Sequence, residues 1–337
     1  MNILVTGGAG YIGSHTVVEL LNQGHEVVVV DNLTNSTEKV FSQINKICGR
    51  SPVFVNADVG CSESLRRIFL DHSFDCVMHF AGLKSVAESS RDPIRYYKEN
   101  VSGSINLLNV MSEMNVRHLV FSSSATVYGE AEVLPISESA SIVPPSSPYG
   151  ETKLVVENLL RSLAKSDKTW SVAILRYFNP IGAHRSGLIG ERPSGIPNNL
   201  MPYIGQVAIG VRSCLSVFGS DYSTRDGTGV RDYIHVVDLA RGHLAALEYL
   251  SLNIGCHEWN LGTGIGYSVL EIVSAFEEAS GIKIPYQILP RRAGDIAKCW
   301  SDPRRAFNEL GWKAEFDLHD MVSDAWKWQI NIPDDYN

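Results

Sequence analysis

No stretch of the 337-residue chain approaches the ~18–20 consecutive apolar residues that a membrane-spanning helix needs, so none is expected. The N-terminus enters a strand pattern at once, so no signal or transit peptide is expected. The six cysteines (Cys48, Cys61, Cys76, Cys214, Cys256 and Cys299) form no Cys-x-x-Cys pair, and reduced, mostly buried thiols in a cytoplasmic protein are expected. The ten histidines show no metal-ligand spacing, so no metal site is expected. Basic residues are dispersed and the net charge is −8, which speaks against a nucleic-acid groove or an anionic membrane surface as partner. Repeats and low-complexity linkers are also missing. What remains is an ordinary globular composition on a chain too long for one growing core, so two lobes or two domains are expected.

What is present begins with Asn2-Ile3-Leu4-Val5-Thr6, a short apolar run suited to a central parallel strand buried on both faces. Gly7-Gly8-Ala9-Gly10-Tyr11-Ile12-Gly13 follows, then a helix pattern over 14–22 and a second apolar strand over 26–30 that ends in Asp31. Gly7, Gly10 and Gly13 let the backbone turn tightly and approach a pyrophosphate at a helix N-terminus, although their spacing is one residue wider than the usual dinucleotide fingerprint. Asp31 is placed to bind ribose hydroxyls. Residues 32–38 carry no basic side chain to meet a 2′-phosphate, which favours NAD over NADP.

The alternation continues. A third strand at 53–55 ends near Asp58-Val59, and a helix pattern covers 65–71. A fourth strand at 75–80 runs into Ala81-Gly82-Leu83-Lys84, and a helix is read over 100–114. A fifth strand at 118–121 empties into Ser122-Ser123-Ser124, and a sixth covers 172–176. Repeated βα units predict an α/β fold with a Rossmann-type, doubly wound parallel sheet. Its strand-end residues should line one crevice, because ligands in such sheets sit beyond the carboxyl ends of the strands. After about 179 the chain turns rich in Gly, Pro, Asn and Ser. A strand–helix pattern over 233–250 then reads as a return to the first unit. The predicted division is a coenzyme domain of residues 1–178 with 233–258, and a smaller α/β substrate lobe of 179–232 with 259–337.

Tyr149-Gly150-Glu151-Thr152-Lys153 follows a proline-rich turn and opens a helix pattern. Positions i and i+4 share a helix face, so phenol and ammonium reach a common point. A free tyrosine has a pKa of about 10 and is a poor base at neutrality. A cation about 6 Å away contributes roughly 3 kcal/mol at an effective dielectric near 20, about two pKa units, so a second positive charge is needed. By itself the pattern is common by chance. Beside a nicotinamide site it becomes a candidate catalytic base.

These motifs, taken in order, resemble those of the extended short-chain dehydrogenase/reductase superfamily. Further segments are similar to the UDP-glucose 4-epimerase family within it: Phe80-Ala81-Gly82-Leu83-Lys84, Ser124-Ala125-Thr126-Val127-Tyr128-Gly129, Leu175-Arg176-Tyr177-Phe178-Asn179-Pro180, Pro197-Asn198-Asn199-Leu200-Met201-Pro202 and the stretch 227–236. The resemblance runs from residue 1 to about 330. It implies NAD retained through turnover and a UDP-hexose inverted at C4 through a 4-keto intermediate that rotates in the site. Tyr149 would take the C4 hydroxyl proton, Lys153 would lower the phenol pKa, and Ser124 would relay the proton. The coenzyme would meet Tyr11, Ile12, Asp31, Asn32, Leu33, Asn35, Ser36, Asp58, Val59, Phe80, Ala81, Gly82, Lys84, Ser122 and Phe178, together with Tyr149 and Lys153. The UDP-sugar would meet Lys84, Ser124, Tyr149, Asn179, Asn199, Leu200, Ser216, Val217, Phe218, Arg231, Arg292, Asp295 and Cys299. One departure is visible: several relatives have two successive asparagines where this chain has Glu99-Asn100, which puts a coenzyme contact of the first position in question.

The resemblance also implies a substrate range. Where relatives confined to simple hexoses carry a tyrosine, this chain has the small Cys299, so UDP-GlcNAc and UDP-GalNAc are expected substrates beside UDP-glucose and UDP-galactose. An epimerase mainly specific for N-acetylated sugars is the alternative. A nucleotide-sugar 4,6-dehydratase would need an acid–base carboxylate pair after a strand-end threonine, and Ser124-Ala125-Thr126 offers none. A non-catalytic NAD-binding sensor would have no use for Tyr149, Lys153 and a sugar-diphosphate site together. The apolar stripes over 100–114 and 152–165 suit a homodimer interface, and equally suit packing on the sheet.

Overall fold

The computed structural model describes residues 1–292 and 294–332; the last five residues of the expected second lobe, 333–337, lie outside the described residues. In chain order the strands are β1 (Asn2–Thr6), β2 (Glu26–Asp31), β3 (Val53–Asn56), β4 (Cys76–His79), β5 (His118–Ser124), β6 (Ser171–Tyr177), β7 (Asn179–Ile181), β8 (Leu215–Phe218), β9 (Val230–His235), β10 (Gly255–Leu261), β11 (Gly266–Ser268), β12 (Tyr286–Leu289) and β13 (Lys298–Cys299).

Seven of these form one sheet in the order β10-β6-β5-β4-β1-β2-β3, and every pairing in it is parallel. The apolar runs explain it. Ile3, Val5, Val27 and Val29 point into one core with the helices Tyr11–Asn22 and Val236–Leu250. Leu4, Val28 and Val30 point into the other core, with the helices Ser62–Asp71, Gly103–Glu113 and Pro148–Ser166. Side chains alternate across a strand, so a strand covered on both faces must be apolar throughout. Each fully buried Val or Leu side chain contributes roughly 1.5–3 kcal/mol of transfer free energy.

Register then aligns the strand ends. Thr6 pairs with Val30 and His79, and Ser124 with Tyr177. Strand order reverses between β1 and β4, the switch point at which open parallel sheets bind their ligands. The shared edge expected from the sequence is therefore present.

The second unit holds a sheet of order β11-β9-β13 with β7 beside β9, plus the pair β12-β8. Its core gathers Ile181, Met201, Ile204, Leu215, Val217, Tyr233, Ile272 and Phe276. The strand read at 233–235 as returning to the first unit is the end of β9, which pairs with β7, β11 and β13. The return is made by the helix Val236–Leu250 and by β10, which pairs with β6 as the sheet edge and runs to Leu261, past 258.

Candidate active site

The glycine turn forms because only glycine fits it. Gly7 has φ +73°, and a Cβ there would lie 2.6 Å from the Ala81 nitrogen; one on Gly13 would lie 2.3 Å from the Gly7 carbonyl oxygen. The helix Tyr11–Asn22 starts at Gly10 with no side-chain cap, which leaves its first N–H groups free for an anion. Asp31 organises the neighbourhood: one carboxylate oxygen accepts from the Ala9 nitrogen at 3.0 Å, the other from the Leu33 nitrogen at 2.9 Å and Ser36 Oγ at 2.8 Å. Leu33, at φ 58°, packs onto the core. Asp58 accepts from Asn32 Nδ2 at 2.7 Å.

These residues open onto a cavity of about 820 Å³. Gly7, Gly10, Tyr11, Ile12, Gly13, Asp31, Asn32, Asn35, Ser36, Asp58, Val59, Phe80, Ala81, Gly82, Lys84, Tyr149, Lys153 and Asn199 all line it. Its size and its uncapped helix N-terminus fit a dinucleotide. Glu99 lines it too, at the position of the asparagine departure. Asn100, in the π-helical turn Tyr97–Ser102, is buried instead. It accepts from the Leu83 nitrogen at 2.7 Å and donates to the Leu83 carbonyl at 3.0 Å and to Thr152 Oγ1 at 3.1 Å, tying the 82–83 loop to the helix of Tyr149.

That helix, Pro148–Ser166, is capped by Ser147, which accepts from the Gly150 nitrogen, with Pro148 in its first turn. Tyr149 and Lys153 are both buried. Lys153 Nζ donates to the Ser122 carbonyl at 2.8 Å and sits 6.0 Å from the centroid of the Tyr149 ring. Burial pushes the Tyr149 phenol up to about 12, opposed by its hydrogen bond with Ser124. Burial pulls Lys153 down to about 8, opposed by Glu157. For the phenol, desolvation thus outweighs its hydrogen-bonding partner, so a nearby positive charge is still needed to make it a base near neutrality. Thr126 Oγ1 donates to Ser124 Oγ at 3.0 Å and orients it.

Around the second unit, Arg292 Nε lies 3.0 Å from Asp295 Oδ2 with its guanidinium 4.5 Å above the Phe218 ring, and Arg231 Nη2 is 4.0 Å from Asp295 Oδ1. This group gathers beside β8, β9 and β13, not in the lining of the large cavity. Asn179 is exposed, Ser216 and Leu200 are half-buried, and the Val217 side chain packs into the lobe core. Phe178 and Cys299 are buried together with Ala125, Val127, Tyr128 and Ile136, behind the Ser124 strand end. Cys299 is held there by pairing with Arg231 across β13 and β9, and burial pushes its thiol up to about 11.

Tyr177 and Glu191 are among the cavity residues that the sequence reading did not single out. Tyr177, in register with Ser124, shares a short hydrogen bond with Ser122 Oγ; the alternation of β6 was the available signal. Glu191 receives Lys84 Nζ at 2.8 Å and Asn199 Nδ2 at 2.6 Å, and nothing in its Gly/Pro-rich surroundings marked it. Burial and then the Glu191 charge hold the Tyr11 phenol well above its ordinary value. One group of possible metal ligands among the described residues, Asp317, His319 and Asp320, is exposed, and its two aspartates close the capping box of the helix Leu318–Asn331.

A family model described as GDP-mannose 4,6 dehydratase matches residues 4–325. A UDP-glucose 4-epimerase of Haemophilus influenzae is 56% identical over 100% of this chain and 99% of its own length. Among solved structures, UDP-glucose 4-epimerase from Stenotrophomonas maltophila, with bound NAD and formylated UDP-arabinopyranose, superposes with a TM-score of 0.96 at 54% identity over 98% of each chain. The enzyme of Bifidobacterium longum, in complex with NAD+ and UDP, gives 0.96 at 48% identity over 99% of each chain.

Proposed function

Because the chain belongs to the UDP-glucose 4-epimerase family, we propose that it interconverts UDP-glucose and UDP-galactose by inverting the sugar at C4, with NAD retained through turnover. The observation that carries this reading is the convergence of Tyr149, Ser124 and Lys153 on the sheet edge beside the cavity of the glycine turn. Bound NAD would supply the acceptor and afterwards the donor of the C4 hydride and, oxidised, the second positive charge that the buried phenol lacks. Tyr149 Oη, ionised, takes the C4 hydroxyl proton, and Ser124 Oγ hydrogen-bonds the same hydroxyl and relays it. Lys153 steadies the phenolate. The 4-keto sugar turns to present its other face, and Tyr149 returns the proton. Arg231 and Arg292 suit the diphosphate, since planar guanidinium donors match phosphate oxygens in pairs; Lys84, Asn179, Asn199 and Asp295 complete the grip on the UDP-sugar.

The strand end favours epimerisation over the dehydration named by the family model. Ser124-Ala125-Thr126-Val127 carries no carboxylate to drive elimination. The small, buried Cys299 supports N-acetylated UDP-hexoses as further substrates. Homodimerisation is supported by apolar side chains left exposed on the helices of the Tyr149 side: Tyr97, Ile105 and Val155 are each about two-fifths exposed. Among the described residues no helix is long and apolar enough to cross a membrane, and the six free cysteines suit a reducing, cytoplasmic setting.

Replacing the base tests the assignment. Tyr149→Phe should lower kcat by on the order of 10²–10⁴ while UDP-hexose binding persists. Full activity in that variant would overturn it.

A further inference from the structure

Three consecutive serines at the end of β5 grip one face of the helix Pro148–Ser166. Ser124 lies beside the Tyr149 phenol and lowers its pKa, the Ser122 carbonyl accepts from Lys153 Nζ at 2.8 Å, and Ser123 Oγ donates to Glu157 Oε1 at 2.6 Å. Positions 149, 153 and 157 are successive turns of that face. The first two rungs belong to the reaction; the third has no part in it so far.

Glu157 is fully buried, and a buried carboxylate is costly unless it is paired and hydrogen-bonded. Arg176 of β6, itself 1% exposed, grips it with both edges: Nε to Oε1 at 2.9 Å and Nη2 to Oε2 at 2.6 Å. Arg161 adds a contact to Oε2 at 2.8 Å. Arg176 Nη1 continues to Tyr128 Oη at 3.0 Å, and Tyr128 donates to Asn260 of β10 at 2.7 Å. The third rung therefore fastens the helix to β5, β6 and β10 at once.

We infer that Glu157 is a positioning residue for the reaction: its carboxylate fixes the helix register against the strand end, and its negative charge keeps Lys153 protonated beside Tyr149. The inference rests on the roles proposed above for Tyr149 and Lys153. The charges around Lys153 agree with it. His79, facing it from β4, is kept neutral by burial, with a pKa of about 3. Tyr177, on β6 near Tyr149, is held protonated by burial. Burial pushes the Glu157 carboxyl up, yet Arg176, Ser123 and Arg161 bring it below the usual range, so it is ionised. Arg161 is shared with Glu258 of β10 at 3.6 Å. Glu157 is the charge that opposes the loss of the Lys153 proton.

The test is the pH profile of kcat for UDP-galactose conversion by the NAD-loaded enzyme. Glu157→Gln should lower kcat at least about tenfold at pH 8 and move the basic limb down by about one pH unit or more, with KM within about twofold of wild type. Glu157→Asp keeps the charge, so its limb should stay while kcat falls. If Glu157→Gln does not fold, Glu157→Gln/Arg176→Met leaves no unpaired buried charge and should show the same limb shift. A basic limb at the wild-type position in the folded variant would overturn the inference. Failure of both variants to fold would assign Glu157 to stability alone and overturn it equally. Tyr149→Phe is measured in parallel: wild-type kcat there would bring down the base assignment itself, a result separable from an unmoved limb.

Discussion

At Gly13 a methyl group would meet the Gly7 carbonyl oxygen at 2.3 Å, and that oxygen is backbone that cannot swing aside. Gly13→Ala should therefore distort the turn and leave the purified protein with little NAD, measured as nucleotide released on denaturation; wild-type NAD content would contradict the turn's assigned role. Cys299 is small and buried, and a phenol ring in its place would fill the space that an N-acetyl group needs. Cys299→Tyr should lower kcat/KM for UDP-GlcNAc and UDP-GalNAc by roughly 10–100-fold, the equivalent of the ~1–3 kcal/mol that overpacking costs, and spare the plain hexoses. Equal N-acetyl activity in the two proteins would remove the argument. The residues of this site were legible as types and spacings, but their environments were not. Tyr149 and Lys153 stand out in the chain; that burial lifts the phenol to about 12 and drops the lysine to about 8 follows only from packing. Glu191, which holds Lys84 and Asn199, was unreadable, because nothing local links it to Lys84, 107 residues away in the chain, or marks its contact with Asn199 inside a Gly/Pro-rich stretch.

At the scale of elements, three packed histidines give the fold a pH dependence. His15 on the helix Tyr11–Asn22, His79 on β4 and His243 on the helix Val236–Leu250 are buried, and burial lowers them to about 3, 3 and 4 from 6.5. The unfolded chain then binds protons that the native chain refuses. Stability is full above pH 6.5 and is lost as pH falls, by about 1.4 kcal/mol per pH unit for each histidine. The urea midpoint should drop between pH 7 and pH 5, and an unchanged midpoint would contradict the buried, neutral state of these rings. The same elements show what a sequence discloses. β1 and β2 announce themselves because both faces are covered, and the helix Val269–Ser280 because Ser268 and Glu271 form a capping box and Gly281 closes it. The helix Lys39–Cys48 follows Glu38, which makes no side-chain cap, so its start carried no signal and it went unread. The π-helical turn Tyr97–Ser102 was invisible for another reason: Asn100 is buried there against the 82–83 loop, a tertiary demand.

At the scale of the molecule, one sheet edge adjoins the space proposed for each ligand. β1, β2, β4 and the loops beyond them surround the dinucleotide space. Tyr149, Ser124 and Lys153 stand at its boundary. The second unit brings Asn199 and Glu191 to the same cavity and sets Arg231, Arg292 and Asp295 beside β9 and β13. In the reaction proposed above the coenzyme stays bound, since the hydride taken from C4 has to be returned within the same site. The most direct measurement incubates purified protein with UDP-galactose, without added coenzyme, and follows the sugar anomeric signals by NMR. Formation of UDP-glucose, with NAD recovered from the denatured protein, is the predicted result; no conversion of either UDP-hexose by folded, NAD-loaded protein would contradict the account.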